Sequence, residues 1–246
     1  MAGGLASAAL ASAQTLTIAA ASDLQAVLPA IARNFEQQTG VVTRLTFGSS
    51  GNIFSQLQNG APFDVFLSAD LGYPQQLVQG GQAVADTLYE YASGRIVVWA
   101  RKDAGLDIQR GLAMLSDSRV RRVAIANPEH APYGRAAVAA LRHENLYDAV
   151  QPKLVLGENI SQAAQFVQSG NADAGILALS VALAPALQPL GVYREIPSAF
   201  HPPIRQAAVV LRSSNHQKTA RDFLEFLKRP ESLKLLADFG FDIKRN

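Results

Sequence analysis

Two stretches in the first seventy residues of this chain share one device: an apolar strand runs into a short Ala/Gly/Ser turn, and the turn opens a helix. The first reads Thr15-Leu16-Thr17-Ile18-Ala19-Ala20-Ala21-Ser22-Asp23. Behind it Leu24, Val27, Leu28, Ile31 and Phe35 fall at helical spacing, and Gly40 supplies the stop. The second is Thr46-Phe47-Gly48-Ser49-Ser50-Gly51-Asn52. A helix start carries unpaired N–H groups and the positive end of the macrodipole, so a turn without bulky side chains lets an anion approach closely. Two such starts predict an oxyanion cradle.

Strand-like runs recur at Val41–Phe47, Asp64–Ser68, Arg95–Ala100, Val123–Ala126, Lys153–Leu156, Ala174–Leu179 and Gln206–Leu211, most of them followed by a helical pattern. This alternation predicts an α/β fold of right-handed βαβ units and parallel sheets, with ligand sites just beyond the carboxyl ends of strands. A length of 246 residues suits one large domain or two lobes. Tyr89–Gly94 and Pro197–Pro203 read as two crossings between lobes. That places residues 14–94 with 204–246 in one lobe and 95–203 in the other. The C-terminal helices, Lys218–Lys228 and Glu231–Phe239, carry Phe223, Leu224 and Leu227 on one stripe and Leu233, Leu235 and Leu236 on another, which assigns them to packing.

Charge narrows the partners. The net charge of +2 is the residue of 22 basic and 20 acidic side chains, with no basic stripe interleaved with aromatics, so nucleic acid is not an expected partner. Residues 1–13 are almost entirely Ala, Gly, Leu and Ser and end Ala11-Ser12-Ala13. They read as the second half of a secretory signal, with a small-x-small cleavage site and no basic n-region. Beyond them no apolar run approaches the roughly 20 residues that span a bilayer. The absence of cysteine leaves the redox compartment open.

Two further junctions follow the same device: Asn127-Pro128-Glu129-His130-Ala131-Pro132-Tyr133-Gly134-Arg135, with Pro132 placed to enter a helix, and Gly157-Glu158-Asn159-Ile160-Ser161-Gln162. If both lobes face one cleft, four helix starts of about +0.5 charge each balance a dianion without any ionised side chain. The first two turns hold no Lys or Arg, and Arg135 stands near the third. Neutral N–H and O–H donors suit an oxyanion that is fully deprotonated and only accepts. Asp23 complicates this, since its carboxylate also accepts. The preferred expectation is that the Asp23 carboxylate caps its own helix while its amide faces the ligand.

These stretches together resemble a known family, the periplasmic molybdate-binding proteins of ABC importers. The matching segments are Ala20-Ala21-Ser22-Asp23-Leu24, Phe35-Glu36-Gln37-Gln38-Thr39-Gly40, Gly48-Ser49-Ser50-Gly51, Gly60-Ala61-Pro62-Phe63-Asp64-Val65-Phe66-Leu67-Ser68-Ala69-Asp70, Asn127-Pro128 with Ala131-Pro132-Tyr133-Gly134, and Gly175-Ile176. The resemblance implies the two-lobed type II periplasmic binding protein fold, with the ligand in the cleft between lobes. It implies a monomer that captures molybdate, and tungstate with it, and delivers it to the membrane permease of an ABC importer. No cofactor is implied, because the oxyanion is cargo held through its oxygens. Ser22 and Ser50 are implied donors through hydroxyl and amide, and Ile160 through its amide. One branch of the family uses a tyrosine where this chain has Ala178; another has the Ala-Pro-Tyr-Gly segment found here, which makes Tyr133 the replacement donor. In that branch the residue after the first serine or threonine is often Asn, where this chain has Asp23.

Three rival readings stand beside it. One is a protein of the same fold for sulfate or phosphate; another is an α/β enzyme; the third is a cytoplasmic anion-sensing domain. Gly48-Ser49-Ser50-Gly51 is one residue short of G-x-S-x-G, which argues against a serine hydrolase. His130, His143, His201 and His216 lack a paired metal-ligand spacing and read as surface or loop residues. Arg119, Arg121 and Arg122 read as a solvated edge, and Trp99 as core.

Overall fold

The computed structural model describes residues 14–243, so the signal-like segment 1–13 lies outside the described residues, as do 244–246. Its strands are β1 (Thr15–Ala21), β2 (Val42–Gly48), β3 (Val65–Ser68), β4 (Tyr89–Gly94), β5 (Ile96–Arg101), β6 (Val123–Ala126), β7 (Leu154–Gly157), β8 (Ala174–Ala178), β9 (Gly191–Glu195) and β10 (Ile204–Val210). The α-helices are α1 (Leu28–Thr39), α2 (Ser50–Gln58), α3 (Gly72–Gln79), α4 (Pro132–His143), α5 (Tyr147–Val150), α6 (Ile160–Gln168), α7 (Leu179–Ala182), α8 (Gln217–Leu227) and α9 (Pro230–Asp238). Two five-stranded sheets form, in the orders β2-β1-β3-β10-β4 and β7-β6-β8-β5-β9. The chain passes from the first to the second between β4 and β5, where Arg95 stands, and returns between β9 and β10.

The sheets are mixed, which corrects the expectation of parallel sheets. β1 runs parallel to β2 and β3, and β6 parallel to β7 and β8. β10 is antiparallel to β3 and β4, and β5 to β8 and β9. The reason lies in the crossings. Strands of βαβ units end on the side that faces the other lobe, whereas β5 and β10 enter their sheets directly from a crossing and start on that side. Tyr89–Gly94, read as a crossing, is itself the strand β4, paired through Gly94 with Ile204 at the start of β10, and the crossing follows it at Arg95.

Each sheet buries its faces under helices. Around the first, Leu16, Ile18, Phe35, Val65, Leu67, Phe223 and Leu227 form a core in which the Phe35 ring meets those of Phe223 and Phe226 edge-on, at 5.2 and 5.5 Å. The stripe assigned to α8 is buried, and of the α9 stripe Leu236 is buried while Leu233 and Leu235 pack at the margin. Trp99 is fully buried in the second core, as its apolar strand predicts. Gly40 ends α1 in the left-handed region, φ 71°, where a side chain would be strained. Within the reading of residues 60–70 as a turn and a buried strand, Asp64 fastens β3 to β1: its Oδ2 accepts from the Thr17 amide at 2.7 Å and the Thr17 hydroxyl at 2.8 Å.

Candidate functional site

The four strand-to-helix junctions come together. A small cavity of about 10 Å³ is lined by Ala21, Ser22 and Asp23 after β1, and by Gly48, Ser49 and Ser50 after β2. From the other sheet come Ala131, Pro132 and Tyr133 at the start of α4 and Ile160 at the start of α6, with Ala69 completing the wall. All five residues singled out from the sequence, Ser22, Asp23, Ser50, Tyr133 and Ile160, therefore border one space. No lysine or arginine is among its lining residues. Among the described residues no group of His, Asp or Glu is arranged to hold a metal ion.

The junctions differ in what they offer. After β1 the chain makes only a short 3-10 turn, Ser22–Leu24, and α1 begins later at Leu28, so the first junction is not an α-helix start. Pro29, just inside α1, favours the delayed entry. At the second, Ser49 is the N-cap of α2, its hydroxyl accepting from the Asn52 amide at 3.3 Å, which leaves Ser50 as the first helical residue. The Ser50 oxygen accepts from the Ala69 amide at 2.9 Å, so the hydroxyl hydrogen is left to donate elsewhere. At the third, Pro132 has no N–H to give. At the fourth, Asn159 caps α6 by accepting from the Gln162 amide at 3.0 Å, and Ile160, in the first turn, has no carbonyl partner within its own helix for its amide.

Asp23 does not cap a helix. Its Oδ2 accepts from the Tyr133 hydroxyl at 2.8 Å and from Gln206 Nε2 at 2.6 Å, while Oδ1 is buried without a hydrogen-bond partner. The neighbouring amides of Asp23 and Leu24 pull toward the ionised form without making a hydrogen bond to Oδ1. Burial outweighs them all and raises the Asp23 carboxyl from the usual carboxylate range to about 6. Burial, and then the adjacent Asp23 charge, hold the Tyr133 phenol well above its ordinary value, so it stays a neutral hydroxyl. Gln206, fully buried on β10 behind the lining, holds both Asp23 and Tyr133 and was not singled out from the sequence; a lone amide inside the run Ile204–Val210 is the signal that marks it.

The two sides of the cavity are fastened to each other. Ser161 Oγ donates to the Ser22 carbonyl at 3.0 Å and Ser180 Oγ to the Asp23 carbonyl at 2.9 Å, which fixes the 3-10 turn from the second sheet's side. The Gly51 amide donates to the His130 carbonyl at 3.0 Å, His130 Nδ1 lies 2.8 Å from Ser49 Oγ, and Asn52 Nδ2 donates to Glu158 Oε1 at 2.8 Å. Arg135 forms an ion pair with Asp70 and donates to the Tyr73 hydroxyl at 3.2 Å; it clasps the rim and does not line the cavity. His130 thus belongs to the closure rather than to a free loop. Ala178, where the resemblance has lost a tyrosine, is fully buried at the end of β8.

The raised carboxyl has a measurable consequence. Between about pH 4 and 6 the folded protein keeps a proton on Asp23 that the unfolded chain has released, so stability from this group is full below about pH 4 and is lost as pH rises through about 6. The loss is on the order of 3 kcal/mol. Thermal melts from pH 4 to 8 without added oxyanion should show this fall in the parent and not in Asp23→Asn; parallel curves would refute the buried-acid assignment.

Comparison with known proteins agrees with this geometry. Residues 16–242 match the family described as bacterial extracellular solute-binding protein. The molybdate-binding protein ModA of Azotobacter vinelandii is 38% identical over 234 residues, 95% of this chain and 92% of that one. The molybdate-binding protein ModA of Rhodobacter capsulatus is 37% identical over 207 residues, 84% and 80% of the two chains. Among solved structures, the periplasmic molybdate-binding protein of Azotobacter vinelandii superposes with a TM-score of 0.86 at 33% identity, covering 94% of this chain and all of that one. A two-lobed α/β chain whose neutral donors converge between its lobes, and whose described length is spanned by this family, belongs to the bacterial extracellular solute-binding proteins.

Proposed function

We propose that this chain captures molybdate, and tungstate with it, in the cavity between its lobes and delivers it to the membrane permease of an ABC importer. The observation that carries the reading is the convergence of neutral donors from both sheets on one small space that no lysine or arginine lines. The relatives named for molybdate add the identity of the anion. In this reading the hydroxyls and amides of Ser22 and Ser50, the amide of Asp23, the hydroxyl of Tyr133 and the amide of Ile160 hold the four oxygens, and no side chain reaches the metal atom. The lobes are residues 14–94 with 204–246, and 95–203. The protein works as a monomer in the periplasm, with residues 1–13 belonging to its export signal, and it turns over no substrate.

Closure around the anion follows from the arrangement. Donors from two lobes meet one anion only when the lobes close, so binding draws them together by a hinge motion at the two crossings. Calorimetry with molybdate, tungstate, sulfate and phosphate in turn tests the reading. Molybdate and tungstate should bind, whereas the smaller sulfate leaves some donors unpaired at about 1 to 3 kcal/mol each. Phosphate carries a proton for which Asp23 is the one carboxylate acceptor on the cavity wall, so the phosphate arm also tests the part Asp23 plays. Equal affinity for sulfate and molybdate would replace this reading with that of a general or sulfate-binding protein. Ser50→Ala removes a hydroxyl whose hydrogen the Ala69 contact leaves free to donate, and should weaken molybdate about tenfold to a hundredfold.

A further inference from the structure

One buried carboxylate does not fit a site built for a dianion. The hydrogens of the cluster around it are assigned by its partners. Of the two acceptors in reach of the Tyr91 hydroxyl, Gln206 Oε1 at 2.7 Å is far nearer than the Ser68 carbonyl at 3.4 Å, and a donation to it turns the Gln206 NH₂ toward Asp23. That NH₂ reaches Asp23 Oδ2 at 2.6 Å and the Tyr133 oxygen at 2.9 Å. The single hydrogen of the Tyr133 hydroxyl is then committed to Asp23 Oδ2, at 2.8 Å. While Asp23 is ionised, Tyr133 has nothing left to donate to an anion. Asp23 itself lines the cavity, 1% exposed, with Oδ1 buried and unpartnered.

An oxyanion placed there meets a negative carboxylate that is buried away from bulk solvent, where like charges repel far more strongly than in water. Among the described residues no cation is hydrogen-bonded or ion-paired to this carboxylate. The titratable neighbours are the neutral phenols Tyr133, on α4, and Tyr91, on β4. Also packed on the 3-10 turn are α6 and α7, without an ionisable side chain, and β2, whose one such residue is Arg44, well back along the strand from Gly48; β10, which brings Gln206 to Asp23, carries only Arg205, paired with Glu90. At the rim Arg135 is paired with Asp70, and His130 with Ser49.

We propose that oxyanion capture takes up one proton, which neutralises Asp23 and frees the Tyr133 hydroxyl hydrogen to turn from the carboxylate to the bound anion. The proton comes from solvent and ends on the Asp23 carboxyl, whose new O–H donates to the Tyr133 oxygen; no other covalent bond changes. Burial has already moved this carboxyl part of the way, to about 6. The inference rests on the reading of the cavity as the molybdate site, and it makes affinity depend on pH although the anion is fully deprotonated across the range tested.

Calorimetry of the parent protein with molybdate between pH 6 and 8.5, in buffers of low and high ionisation enthalpy, counts the protons. The expected uptake at pH 7 is roughly 0.9 proton, with the dissociation constant rising toward tenfold per pH unit above pH 7. Asp23→Asn, which presents a permanent neutral NH₂, should bind with no proton uptake and a flat profile, and more tightly than the parent at pH 8. A residue that only supports the fold would not flatten the profile while binding persists. Molybdate binding by the parent without proton uptake overturns the inference and leaves the functional reading in place. No binding of molybdate at any pH overturns both. If the Asn variant does not fold, the proton count in the parent decides alone.

Discussion

Gly51→Ala should leave both lobes folded and weaken molybdate binding by at least about a hundredfold. Gly51 is the second residue of α2, and its amide donates across the cleft to the His130 carbonyl at 3.0 Å. A Cβ at this position would stand 2.5 Å from that carbonyl oxygen, 2.8 Å from the Tyr73 hydroxyl and 2.9 Å from His130 Cβ. The Tyr73 hydroxyl is the end of a side chain and can move. The His130 backbone cannot move alone, because Ala131 behind it is bonded to the Asn127 carbonyl and leads straight into α4. The strain is therefore relieved by parting the lobes at this rim, which also strips the Ser49–His130 and Asn52–Glu158 contacts. Overpacking of about 1 to 3 kcal/mol and lost hydrogen bonds of about 1 kcal/mol each together account for the hundredfold. Scattering should show the variant staying extended at molybdate concentrations that compact the parent. An alanine variant that binds and compacts like the parent would mean that the closed arrangement is not the binding one.

Gly134→Ala should strike stability instead. Gly134 lies in the first turn of α4, where a Cβ would come within 2.1 Å of the Ala126 carbonyl oxygen and 2.8 Å of both the Ala126 carbonyl carbon and the Pro128 nitrogen. All three are backbone atoms, at the end of β6 and in the loop after it, so no side chain can swing aside. The helix start that carries Tyr133 would have to lift off the sheet. A cost of about 3 kcal/mol or more follows for such overpacking, which for a chain of this size lowers the melting temperature by about 6 to 12 °C. Molybdate binding should weaken with it, since Tyr133 loses its place beside Asp23. Thermal unfolding of the unliganded variant measures the effect; a melting temperature within 2 °C of the parent would show that α4 does not pack on β6 as described.

The two glycines separate the two roles of the cavity walls. Gly51 faces the opposite lobe and Gly134 faces its own, so one substitution tests closure and the other tests the platform on which closure depends. The same division runs through the polar contacts. Asn159 and Ser49 cap helices within their own lobes, whereas Ser161 and Ser180 reach across to hold the turn that carries Ser22 and Asp23. A site made of fixed amides and hydroxyls has little freedom to adapt, which is what discrimination between oxyanions of different size requires.

Strand and helix positions were legible because they follow from local alternation. The runs Val41–Phe47, Asp64–Ser68 and Lys153–Leu156 lie within one residue of β2, β3 and β7, and the stripes of α8 and α9 face the core. So were the junctions that wall the cavity, since a small residue after an apolar strand is a short-range signal. What the tertiary structure decided involves partners far apart in the chain. β4 reads as a crossing until β10 pairs with it, and the direction of β5 and β10 depends on the crossings between lobes. The 3-10 turn at Ser22 takes its shape with Ser161 and Ser180, which lie 139 and 157 residues from the carbonyls they hold. The Asp23 carboxylate, read locally as a helix cap, instead meets Tyr133 and Gln206, 110 and 183 residues away, in a setting dry enough to change its protonation. Periodicity and turn chemistry act over a few residues and are written in the sequence; desolvation and the choice among competing hydrogen-bond partners exist only once distant segments have packed together.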